Sequence, residues 1–167
     1  STLSTSPVAG AINVVVDASG TVYVGGYSAN KIYKVAPNGA VSVVAGSGVQ
    51  GNANGTGTSA SFGQPVGITV DTQGNLYVAD YYPYNLIRKI TPSGVVTTLA
   101  GTNSAGYADG TGTSAAFNYP WGLALDASGN LFIGDRFNQR IRSIYVCGAS
   151  GQFPLAATYT GTVFPEA

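Results

Sequence analysis

The sequence predicts an all-β chain assembled from a threefold internal repeat, and three observations carry that expectation. The first is self-similarity. Val16-Asp17-Ala18-Ser19-Gly20 returns as Val70-Asp71-Thr72-Gln73-Gly74 and again as Leu125-Asp126-Ala127-Ser128-Gly129, at offsets of 54 and 55 residues. Recurrence at such a spacing means one supersecondary unit used several times. The second is segment length: the apolar runs are short, rich in Val, Ile, Tyr and Thr, and bounded by Gly, Pro, Asn and Asp, as strands are. The third is that no long stretch keeps the 3.6-residue apolar period of a helix that buries one face.

Each unit reads in the same order. After the Asp-to-Gly turn comes an apolar strand, Val22-Tyr23-Val24, Leu76-Tyr77-Val78 or Leu131-Phe132-Ile133. An Asn then precedes the next strand: Asn30 before Ile32-Tyr33-Lys34-Val35, Asn85 before Ile87-Arg88-Lys89-Ile90, Asn138 before Ile141-Arg142-Ser143-Ile144. Pro37-Asn38-Gly39 and Pro92-Ser93-Gly94 turn the chain into β-branched strands that end at Gly46 and Gly101. The third copy departs here, with Cys147-Gly148-Ala149-Ser150-Gly151 in place of the tight turn and 156–161 in place of the last strand. Four antiparallel strands per unit at this period predict a β-propeller. Its three blades are expected at about 11–46, 66–101 and 121–161, joined by long loops at 47–65 and 102–120. Residues 1–10 read as a tail or closing strand and 162–167 as a C-terminal tail.

Gly67-Ile68-Thr69-Val70-Asp71, Gly74-Asn75-Leu76-Tyr77-Val78-Ala79-Asp80 and Asn85-Leu86-Ile87-Arg88-Lys89-Ile90 together resemble an NHL repeat. Gly122 to Ile144 is a second good copy. The N-terminal copy departs from the pattern, with Asn13 where Gly is expected and Gly26 where Asp is expected. The resemblance covers roughly residues 11–146. It implies a six-bladed propeller that serves as a platform for protein or nucleic-acid partners, with a minority of relatives acting as metal-dependent lyases or hydrolases. It also implies that Asp80 and Asp135 stabilise turns and pair with Arg88 or Arg142.

Three blades are half of such a ring. With about 60° per blade, a half-disc leaves two flat ends whose apolar faces normally pack blade on blade. Large bare apolar faces mark interfaces. Two half-rings related by a two-fold axis bury both ends in equivalent contacts, so a homodimer joined through blade edges is expected. The other reading is that further blades lie elsewhere in a longer polypeptide.

Composition narrows the partners. Seven Lys and Arg balance seven Asp and Glu, and only 8% of the 167 residues are charged. No broad field gathers nucleic acid or anionic lipid, and no apolar run approaches the roughly 20 residues of a membrane span. The absence of His removes the usual general base and zinc ligand, and the only Glu is Glu166. No cofactor and no catalytic residue are therefore assigned. The lone Cys147 excludes an intrachain disulfide.

The long loops share Gly-Thr-Gly-Thr-Ser-Ala at 55–60 and 110–115, followed by Phe62 or Phe117. No Lys follows and no helix starts, which excludes a phosphate loop. Asp109-Gly110 resembles a piece of a calcium loop, but the other copy has Asn54 there, and one carboxylate is too few. These loops read as structural, the Gly allowing positive φ and the Phe anchoring them to the core. Asn54-Gly55-Thr56 is an acceptor triplet for N-glycosylation. Asp17, Asp71 and Asp126 sit where an Asp side chain accepts amides in a turn.

The loops between second and third strands are the candidate binding surface. Tyr27, Tyr81, Tyr82, Tyr84, Arg136 and Phe137 cluster there, with Trp121 close by. Exposed rings among Asn and Gly suit a glycan or protein surface, because a ring buries much area at low rotamer cost. Asp80 and Asp135 are the weak metal candidates, if a ring brings them to its axis. The expectation is thus a non-enzymatic, self-associating module, extracellular or at the cell surface, that binds a protein or glycan through its Tyr-rich loops. The alternative is a metal-assisted lyase or hydrolase on the propeller axis.

Overall fold

A computed structural model describes residues 6–145. The strand expected at 156–161, Cys147, the C-terminal tail and residues 1–5 lie outside the described residues. The chain is all-β. Sheet 1 runs β1 (Ala11–Val16), β2 (Val22–Gly26), β3 (Lys31–Val35), β4 (Val41–Ala45) in that order. Sheet 2 holds β5 (Gly55–Thr56), β6 (Pro65–Val70), β7 (Leu76–Asp80), β8 (Leu86–Ile90) and β9 (Val95–Ala100), in the order β5-β9-β8-β7-β6. Sheet 3 runs β10 (Pro120–Leu125), β11 (Asn130–Asp135), β12 (Arg140–Tyr145). Every strand pair is antiparallel. The short β5 was not read from the sequence; it is donated by the first long loop to the outer edge of sheet 2. Among the described residues no helix is long and apolar enough to cross a membrane.

The sheets stack like a fan. β6 lies between β1 and β10, so the first strands of the three sheets are neighbours. Each first strand carries a bulge near its start, between Ala11 and Asn13, Pro65 and Ile68, and Pro120 and Leu123. Two apolar cores fill the gaps. Ile32, Phe62, Ile68, Leu76, Val78 and Ile90 pack between sheets 1 and 2. Tyr77, Ala79, Ile87, Phe117, Leu131 and Ile133 pack between sheets 2 and 3. β7 is therefore buried along its whole length, and its sequence is apolar at successive positions, as a strand covered on both faces must be. Each such buried aliphatic side chain contributes about 1.5–3 kcal/mol. By contrast Val14 and Val16 on β1 and Ile141 on β12 are exposed.

The repeated Asp turns form as the residues dictate. Asp17 Oδ1 accepts the amides of Ser19 and Thr21 at 2.9 and 3.0 Å, Asp71 those of Gln73 and Asn75 at 2.9 and 2.8 Å, and Asp126 those of Ser128 and Asn130 at 2.9 and 2.8 Å. The Gly that follows takes φ +81°, +81° and +84° in the three copies, a region open to Gly without strain. The Tyr of the second strand completes the turn: the Tyr23 and Tyr77 hydroxyls donate to Oδ2 of Asp17 and Asp71 at 3.3 and 3.0 Å. In the second copy Asn75 Nδ2 donates to the same Asp71 oxygen at 2.8 Å, and in the third, where Phe132 has no hydroxyl, Asn130 Nδ2 donates to Asp126 Oδ2 at 2.6 Å.

The Ser19 hydroxyl, 2.6 Å from Asp17 Oδ1, holds the Asp17 carboxyl below the usual carboxylate range, helped by the Thr21 and Ser19 amides and the Tyr23 hydroxyl. A depressed folded pKa contributes stability above the unfolded value that is lost as pH falls through the folded one. Ser19→Ala is expected to move the Asp17 carboxyl back up towards its ordinary value. Carbon-detected NMR titration of the carboxyl checks it.

Candidate functional site

Two buried arginines organise the loop face. Arg88 and Asp80 have fully buried side chains and lie 3.4 Å apart (Nη1 to Oδ2). Asp80 Oδ1 accepts the amides of Gly63 and Gln64 at 2.8 and 3.0 Å. Arg88 donates through Nη1 to the Ser61 carbonyl at 3.2 Å, and through Nη2 to the Ala53 carbonyl and Asn54 Oδ1 at 3.1 and 2.9 Å. Its guanidinium sits 5.3 Å from the centre of the Phe62 ring. The pair thus staples the loop 47–65 to sheet 2. Burial pushes the Asp80 carboxyl up to about 7, against the downward pull of Arg88 and the two amides. Burial also lowers Arg88 from its usual value, against Asp80.

The third copy repeats the device. Arg142 bonds Asp135 Oδ2 at 3.0 Å, Asp109 Oδ1 at 2.7 Å and the carbonyls of Ala116 and Ala108 at 3.1 and 2.9 Å, over Phe117. Asp109, read from the sequence as a calcium-loop fragment and set aside, is an arginine partner. In sheet 1 Gly26 and Tyr33 occupy the Asp and Arg places, and that copy has neither the pair nor a preceding loop of this kind among the described residues. The loops themselves superpose in their bonding: Gly57 and Gly112 take positive φ, and Phe62 and Phe117 are buried.

Above this platform the loops carry rings. Tyr81 meets Tyr119 at 4.8 Å and Trp121 at 5.1 Å, both edge-on. Tyr119 stacks on Tyr82 (5.8 Å, 11°) and meets Phe137 edge-on at 4.5 Å. The Arg136 guanidinium lies 5.1 Å from the centre of Trp121 and 5.3 Å from that of Phe137. Tyr82, Phe137 and Arg136 are exposed; Tyr81, Tyr119 and Trp121 are half-buried. Each rim loop is tied to the entry of its own sheet's first strand, Tyr81 N–H donating to the Gln64 carbonyl at 3.1 Å and Phe137 N–H to the Asn118 carbonyl at 3.0 Å.

Of the residues singled out in the sequence, the structure brings together Tyr81, Tyr82, Trp121, Arg136 and Phe137. Tyr27 is half-buried against the core between sheets 2 and 3 and makes no ring contact among the described residues. Tyr84 lies beside Gly63, likewise outside the ring cluster. Asp80 and Asp135 are committed to arginines and amides, and no group of three or more His, Cys, Asp or Glu able to hold a metal exists among the described residues.

The hub of the cluster, Tyr119, was not assigned. Its φ is +59°, and its amide donates to Asn85 Oδ1 at 2.8 Å across 34 residues. Neither is visible as a local pattern. The recurrent Asn was the available signal, and it needs one correction. Asn30 and Asn85 take φ +52° and +55°, but in the third copy Gln139, not Asn138, holds that conformation at +53°. Asn138 instead donates to Asp135 Oδ2 and to the Gly106 carbonyl, both at 2.8 Å. Beside the rim a cleft of about 690 Å3 opens on the bare side of sheet 3, lined by Trp121, Gly122, Gly134, Arg136 and Ile141 among others.

Comparison with known proteins agrees with this geometry. The model of the NHL repeat matches residues 62–86 and 117–142, the second and third copies. The chain is 37% identical over 95 residues to Protein SUPPRESSOR OF QUENCHING 1, chloroplastic, of Arabidopsis thaliana, covering 56% of this chain and 9% of that one. It is 38% identical over 96 residues to NHL repeat-containing protein 2 of Bos taurus, covering 55% and 13%. It thus spans about a tenth of the length of these curated relatives. Among solved structures, which are propeller-like, an auxiliary nutrient binding protein from Bacteroides ovatus superposes with a TM-score of 0.69 at 28% identity, over 78% of this chain and 36% of that one.

Proposed function

We propose that this chain, which belongs to the NHL-repeat proteins, supplies three blades of a six-bladed propeller and works as a non-enzymatic binding module with a glycan ligand on its aromatic rim. The observation that carries the reading is the Tyr82–Tyr119 stack flanked by Phe137 and Arg136, rings packed on one another with Tyr82, Phe137 and Arg136 left open to solvent. A ring offers a flat apolar face to the C–H face of a sugar, and the Tyr hydroxyls and the guanidinium offer hydrogen bonds to its hydroxyls. Nutrient binding in the Bacteroides ovatus neighbour supports a binding role. A hydrolase reading is weaker, because both repeat carboxylates, Asp80 and Asp135, spend their oxygens on Arg88, Arg142 and loop amides. Low charge and Ser-, Thr-, Asn- and Gly-rich loops support an extracellular or cell-surface setting.

A glycan array tests the reading. The wild-type chain is expected to retain a defined set of glycans, and Tyr82→Ala and Arg136→Ala are each expected to weaken retention by about tenfold or more. Retention unchanged in both variants discards the rim. A wild-type chain that retains no glycan turns the surface to the other ligand class considered, a protein.

A further inference from the structure

We propose that the bare faces of sheets 1 and 3 are two halves of one interface, and that a second copy of this chain fills both, closing a two-fold ring. The inference rests on reading the chain as three blades of a six-bladed propeller. The molecule carries its own controls, because equivalent positions are covered in one repeat and bare in another. Ile87 on β8 is 0% exposed beneath sheet 3, and its counterpart Ile141 on β12 is 58% exposed. On the opposite side, Ile68 on β6 is 3% exposed beneath sheet 1, and its counterpart Val14 on β1 is 59% exposed. Tyr77 is likewise buried where Phe132 is half-buried.

Backbone atoms define the register. The bulged residues of β6 and β10 each send a carbonyl onto a glycine of the preceding sheet, on its second strand in sheet 1 and on its first strand in sheet 2. The Val66 carbonyl oxygen lies 3.0 Å from where a Cβ on Gly25 would sit, and the Trp121 carbonyl oxygen stands where a Cβ on Gly67 would be. Ile12 holds the same bulged place in β1. On the bare side of sheet 3, the counterpart of Gly67 is Gly122, and among the described residues nothing lies within 4 Å of a Cβ built there. Gly134, the counterpart of Gly25, meets among the described residues only Gly122 of its own sheet. The cleft beside the rim is therefore the seat of an absent first strand. The Ile12 carbonyl of a second copy fits it, with Val14 and Val16 laid against Phe132 and Ile141. One chain owns one seat and one such strand. A two-fold axis makes both contacts at once and leaves neither face bare.

Light scattering and native mass spectrometry of the 167-residue chain test this, with twice 16.9 kDa expected. Gly122→Val and Ile141→Glu lie at positions open in the single chain, so each is expected to return the mass to 16.9 kDa without changing the far-ultraviolet circular dichroism. A monomeric wild type, an open-ended ladder of larger species, or a dimer that survives both substitutions overturns the inference. Tyr82→Ala separates it from the ligand reading: glycan retention falls while the dimer mass stays.

Discussion

Asp80→Ala is expected to lower the unfolding free energy by about 3–5 kcal/mol, the range for removing one partner of a buried ion pair. The change strands the fully buried Arg88 guanidinium, whose Nε has no hydrogen-bond partner among the described residues. It also orphans the Gly63 and Gln64 amides that hold the loop 47–65 down. The same change in the next repeat, Asp135→Ala, is expected to cost less. Arg142 keeps a second carboxylate, Asp109 at 2.7 Å, and that carboxylate is partly in water. Arg88→Met is also expected to cost less than Asp80→Ala, because a carboxyl left alone can take up a proton and a guanidinium cannot release one.

That asymmetry has a pH signature. In Arg88→Met the Asp80 carboxyl, already pushed up to about 7 by burial, loses the opposing pull of Arg88 and rises further. Its folded pKa then lies above the unfolded value of ~4. Between the two, the folded chain keeps a proton that the unfolded chain has released, so stability is fullest below the lower value and falls as pH rises through the upper one. Urea melts across that window check the order of the three variants and the sign of the slope. Asp80→Ala and Asp135→Ala equal in cost, or a variant Arg88→Met that gains stability as pH rises, contradicts it.

Those arginines also show how far the chain can be read before it folds. The Asp-Gly turns and the strand order within each unit follow from residues at constant spacing, since each copy checks the others, whereas the pairing of Asp80 and Asp135 with Arg88 or Arg142 came from the resemblance to the NHL repeat. One departure from the pattern was legible too: Gly26 in the first copy stands where the Asp is expected. What escaped was information held between copies. Tyr119 is set at the centre of the rim by a positive φ and by Asn85, one repeat away. β5 is the edge of sheet 2 accepting a passing loop, for which Gly55-Thr56 carries no strand signal. In every copy it is the residue just before the third strand that turns left-handed, Asn30, Asn85 or Gln139, and in the third copy the Asn stands one place too early to be that residue.

The sharpest consequence of that between-copy information is at the glycines. Gly67→Val is expected to destabilise by about 3 kcal/mol, the upper range for overpacking. Neither its own sheet nor its φ is the reason; the Trp121 carbonyl of the next first strand occupies the place of the new Cβ, and backbone cannot step aside as a flexible side chain does. Relief requires sheet 3 to slide off sheet 2, uncovering Tyr77, Ile87 and Leu131, which are at most 2% exposed in the fold. Chemically the same substitution at Gly122 meets open space among the described residues. Urea melts at a concentration low enough to keep single chains therefore read neighbour contact directly, one glycine costly and its repeat counterpart nearly silent. Equal costs at the two positions mean that the glycines answer to strand conformation, and that no neighbouring sheet dictates either of them.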